Sequence, residues 1–196
     1  MATKSVCLKT SVNGNGKWGG NGNGNGEKLP LFEQKLAERR AEIEEAFYQA
    51  KVNALTAIDR QEKDFRSKTA LLDPEDKNFG AQRDRYWHRA ENLVESYFGD
   101  WRQGAVSASR EMEWEAVNLL GTKDMFEKLI EMINGRDNEF FLSDEETKAR
   151  GLANSFKREI NRLIELADAE KNRLKAKATS VFSSAHEELK AVLASA

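Results

Sequence analysis

Residues 143–196 read SDEETKARGLANSFKREINRLIELADAEKNRLKAKATSVFSSAHEELKAVLASA. Leu152, Phe156, Ile160, Leu163, Ala167, Leu174, Val181, Leu189 and Val192 recur at helical intervals in this stretch, which is the pattern of one apolar face on a long α-helix. Lys157, Arg158, Glu159, Glu165, Asp168, Lys171, Lys175, Lys177 and Glu188 fill the remainder, so the helix needs an apolar surface on one side only. Ser143 and Glu146 have the three-residue spacing of a capping box and fix where the helix opens. Glu170 and Lys177 interrupt the heptad seam that a continuous coiled coil would keep apolar. Packing back on another helix of the same chain is therefore the expected use of the stripe.

That other helix is written after Pro30. Phe32, Leu36, Ile43, Phe47, Ala50, Ala54, Ile58 and Phe65 share one helical face and predict a helix from about residue 30 to about residue 70. It should stop near Leu72-Asp73-Pro74, because the residue before a proline is pushed out of the helical region. A second helix is expected after Asn78 or Gly80, carrying Tyr86, Leu93, Val94 and Tyr97, with a bend or break where Gly99 and Gly104 bracket Trp101. Residues 105–120 then form a third segment with Met112, Ala116, Leu119 and Leu120 on one face, ended by Gly121. A short helix capped by Thr122 follows, with Met125, Phe126, Leu129, Ile130 and Ile133, closed by Asn134-Gly135. No alternating apolar run suggests a strand.

The fold class expected is all-α: an elongated antiparallel helical bundle, coiled-coil-like, with two long helices and two or three shorter ones packed near one end. Residues 29–196 form the helical domain. Residues 1–28 form a tail rich in Asn and Gly, including Gly19-Gly20-Asn21-Gly22-Asn23-Gly24-Asn25-Gly26, a composition with maximal backbone entropy and little to bury. Within residues 1–26, Lys4, Lys9 and Lys17, hydroxyl residues and an absence of acids give a partial likeness to a plastid transit peptide. It serves either as a targeting segment or as a flexible tail.

The formal charge of −2 and the mixing of both signs supply no field for nucleic acid. No apolar run is long enough to cross a bilayer. The single cysteine, Cys7, rules out an intramolecular disulfide or a multi-cysteine metal site. These bounds point to an intracellular, soluble chain in the cytoplasm or an organelle such as the plastid stroma. Peripheral membrane contact through the last helix is the lesser use of it, because its polar face carries both charge signs rather than an excess of Lys and Arg.

Chemistry is sparsely written. Asp84, His88, Glu91 and Glu95 would line one helix face and, with Glu44 or Glu45 from a neighbouring helix, could hold a divalent metal. A solvated charged face laced with helical pairs accounts for the same residues more economically. Residues 79–121 hold seven of the seventeen aromatics, interleaved with Arg83, Arg85, Arg89, Arg102 and Arg110. Core packing is the first reading of that block, and a protein-binding patch the second. No nucleophile, base and acid can be assembled into a catalytic set, so the reading leans away from an enzyme, and no cofactor is expected.

The functional expectation is a non-enzymatic helical interaction protein: an assembly factor, adaptor or structural subunit. It binds a protein partner or a second copy through the long-helix stripe, because the short central helices leave part of that stripe uncovered. The residues assigned to the interface are Trp101, Phe140, Phe141, Leu163, Leu174, Val181 and Leu189. The alternative is a metal- or ligand-binding helical bundle using Asp84, His88 and Glu91.

Overall fold

The computed structural model describes residues 25–70, 72, 77–118 and 144–195. Three helices account for nearly all of them: α1 (Asn25–Thr69), α2 (Lys77–Asn118) and α3 (Asp144–Ala194), of 45, 42 and 51 residues. No strand occurs among the described residues. Helix α3 opens at Asp144, immediately after the expected cap. Ser143, the expected short helix at 122–133 and the Phe140-Phe141 pair lie outside the described residues, as does Pro74.

The all-helical expectation holds, but the helix count does not. The segments expected on either side of Gly99 and Gly104 are one continuous helix, so among the described residues there are three long helices where two long and two or three shorter ones were expected. A glycine in a helix interior costs only about 1 kcal/mol relative to alanine. Phe98, Trp101, Ala105 and Met112 lie on the buried face of the same helix and outweigh that cost. Helix α1 also opens earlier than expected and contains Pro30, whose ring nitrogen has no hydrogen to give the ladder.

Backbone contacts divide the chain into two compact units. The first comprises Met1–Glu42 and Gly104–Ile160, and its described core is Phe32 and Leu36 of α1, Ala105, Met112 and Ala116 of α2, and Ala149, Ala153, Phe156 and Ile160 of α3. Ion pairs report the helix directions here. Lys35 meets Glu115 and Arg39 takes both oxygens of Glu111 at 2.9 Å, so α1 and α2 are antiparallel. Lys148 approaches Glu33 and Arg40 meets Glu159 at 3.1 Å, so α1 and α3 run parallel. Lys157 donates to Glu113 at 2.7 Å between α3 and α2.

The second unit comprises Ile43–Gln103 and Asn161–Ala196. Two aromatic clusters anchor it. Phe47 packs on Trp101 and Phe98 with ring centroids 5.2 and 6.2 Å apart. Phe65 packs on Phe79, Tyr86 and Phe182 at 6.0–6.5 Å, and His186 lies 4.8 Å from Phe79. Buried Ala50, Ala54, Ala57, Ala90 and Ala178 belong to the same core, where small side chains let helix backbones approach. Here too α2 opposes α1 while α3 runs with it, because Phe47 meets Phe98 whereas Lys51 meets Glu170 and Phe65 meets Phe182. The expectation that the two long helices α1 and α3 are antiparallel is thereby corrected: a third long helix between them reverses the chain twice.

Candidate protein-interaction surface

The residues assigned to an interface from sequence divide into core, rim and undescribed positions. Trp101 is only 4% exposed, and its indole Nε1 donates to the Ile43 carbonyl at 3.0 Å, so it is core rather than a binding residue. Leu174 is fully buried and corrected likewise. The physical reason is shared: α2 is long enough to cover the α3 stripe that short helices would have left open. Leu163, Val181 and Leu189 are half-buried on the edges of that stripe. Phe140 and Phe141 lie outside the described residues.

The residues named for the metal alternative do not stand together as a group. His88 is exposed and stacks on Trp87, with Nδ1 3.7 Å from Glu91, while Arg83 donates to Asp84 at 2.6 Å. Among the described residues no three His, Cys, Asp or Glu side chains are grouped to hold an ion. One helix face spreads Asp84 and Glu91 over two turns, about 10 Å at 1.5 Å per residue. The register set by Phe47–Phe98 and Phe65–Tyr86 leaves Glu44 and Glu45 more than three turns away from the level of His88, so α1 brings them no closer.

Ion pairs between α2 and α3 shape the second unit's charged flank. Burial alone would raise the Glu95 carboxyl, but the hydrogen bond from Lys175 and the charges of Lys171 and Lys175 hold it below its ordinary range. Lys171 is raised, first by its hydrogen bond to Asp168 and then, against burial, by the charge of Glu95. These groups answer one another and leave that flank electrostatically closed.

A different surface remains open. Tyr48 and Leu166 are 59% and 60% exposed, and Val52 is 37% exposed. Tyr48 lies three residues before Lys51 on α1, and Leu166 lies four before Glu170 on α3, while Lys51 and Glu170 pair across the two helices at 3.0 Å. Residues three or four apart are neighbours on a helix surface. Tyr48 and Leu166 therefore sit beside one another, one turn below that ion pair, and Val52 continues the strip on α1. Half-buried Leu55 and Leu163 belong to the same two helices. The sequence reading missed Tyr48, Val52 and Leu166, and the available signal was that each is a large apolar residue off its helix's core stripe. In the first unit Trp114 and Leu31 are also exposed, and Val192 is exposed near the end of α3.

No protein-family model, curated protein or solved structure matches this chain. No described helix is long and apolar enough to cross a membrane.

Proposed function

We propose that the chain is a non-enzymatic helical interaction protein that binds a protein partner through the outer seam of α1 and α3 in its second unit. One observation carries this reading: Tyr48, Val52 and Leu166 remain exposed on helices whose core faces are already filled by the chain itself. An exposed tyrosine flanked by aliphatic side chains supplies large contact area with a polar tip, the chemistry enriched at protein interfaces. Catalysis has no comparable support, since no described cluster combines a nucleophile with a base and an orienting acid.

The test places a photoreactive amino acid at position 48 and illuminates the full chain in a native extract. A discrete adduct that disappears in a Leu166→Glu background is expected. An absence of any adduct from position 48 removes the reading.

A further inference from the structure

Resting on that reading, we infer that the occupant of the seam is a second copy of this chain, docked with its own α1 and α3 facing the first pair across a two-fold axis parallel to the helices.

Charge placement carries the inference. Lys51 faces Glu170 and Phe65 faces Phe182. Stepping along both helices at that register puts Glu45 level with Arg162, Tyr48 with Leu166, Val52 with Ala169 and Asp59 with Lys177. The exposed strip of α1 thus carries acids at both ends of an apolar middle, and that of α3 carries bases at the same two levels, with Arg173 between them turned to Glu170 of its own helix at 3.7 Å. Glu165, the acid next to Leu166, is a hundred degrees around α3 from it. Glu45 accepts only from Gln49 of its own helix, and Asp59, Arg162 and Lys177 have no ion-pair partner among the described residues. A two-fold axis along the helices lays α1 of one copy on α3 of the other without changing level. Glu45 then meets Arg162 of the other copy, Tyr48 meets Leu166 and Asp59 meets Lys177, each contact made twice as an isologous interface requires. An axis across the helices would instead lay α1 on α1 and α3 on α3, bringing the two base-bearing strips of α3 together.

The size of the strip sets the strength. From Glu45 to Asp59 is about 21 Å at 1.5 Å per residue. Two helices side by side span roughly 20 Å. The contact therefore covers on the order of 400 Å² per copy, which belongs with weak, reversible interfaces rather than permanent ones.

The experiment is sedimentation of the full chain from about 1 µM to about 500 µM, the range in which so small an interface should dissociate. Reductant is present so that Cys7 cannot link copies. The expected result is a reversible monomer–dimer equilibrium. Glu45→Arg and Arg162→Glu should each weaken it about tenfold or more, because each sets like charges against one another, and the double variant should restore it. Both positions are solvent-facing, and unchanged helical content by circular dichroism verifies that the variants fold. A monomer at every concentration, or a dimer indifferent to the charge reversals, overturns the second-copy assignment. The position-48 adduct separates the two levels of failure. A product of twice the chain mass supports both readings, an adduct with a different protein overturns the second copy while keeping the interaction reading, and no adduct overturns both.

Discussion

At the scale of single residues, His186 shows how a core position acquires a condition. Its Nδ1 is buried without a hydrogen-bond partner and its ring lies against Phe79. Burial lowers its pKa, and the positive charges of Arg83 from α2 and Lys190 from α3 lower it further. Glu187 and Asp84 pull the other way, but Asp84 is already engaged by Arg83. Because the folded state favours the neutral ring, its contribution to stability is complete above the ordinary histidine value of about 6.5 and is lost as pH falls from there toward the folded pKa. Thermal melting points should therefore be level above about pH 7.5 and decline below about pH 6.5. His186→Phe should remove that part of the decline, leaving only what the carboxylates contribute. Parallel wild-type and variant curves through this window would show that His186 is not the group responsible.

At the scale of the helical elements, legibility followed the continuity of the apolar pattern. Every residue assigned to the α1 stripe from Phe32 to Phe65 is buried or half-buried, since a run of four-and-three spacing leaves one choice of face. On α3 the stripe drifted. Stepping seven residues from Leu174 selects Val181, whereas the helix buries Ala178, Phe182 and Ala185, as a repeat of 3.6 demands once a heptad is not supercoiled to match it. On α2, Gly99 and Gly104 read as helix breakers, but the buried face of Phe98, Trp101 and Ala105 runs through them in one continuous helix. With α2 cut short, Trp101 and Leu174 looked available to a partner. Gly99 tests the point directly: a Cβ placed there meets nothing within 4 Å, and the residue is exposed. Gly99→Ala should thus stabilise the protein by about 0.5–1 kcal/mol through improved helix propensity alone. Chemical denaturation should show a raised midpoint with an unchanged slope. A lowered midpoint would mean that α2 needs the glycine as a hinge after all.

At the scale of the whole molecule, the seam proposed as an interface lies on other residues than those the sequence assigns to one, since Trp101 and Leu174 are buried and Tyr48 and Leu166 are exposed. Periodicity could reveal that long apolar stripes exist, but the pairing of stripes depends on which helices are long enough to meet, and that is decided by tertiary packing. Tyr48 and Leu166 lie far apart in sequence and become neighbours only through the register set by Lys51 and Glu170. The proposed docking of two copies on that seam would couple assembly to folding. If two copies share the seam only when folded, mass action makes stability depend on protein concentration. A tenfold rise in concentration is worth about 1.4 kcal/mol per dimer, shared by two chains. For chains near this length, 1 kcal/mol shifts the melting point by about 2–4 °C. Above the dissociation constant the melting point should therefore climb by about 2 °C per tenfold increase in concentration. Leu166→Glu should flatten that dependence while leaving the melting point of the dilute chain nearly unchanged, because a solvent-facing position contributes little to the fold of one copy. A dependence that persists in Leu166→Glu would place the contact between copies somewhere other than the α1–α3 seam.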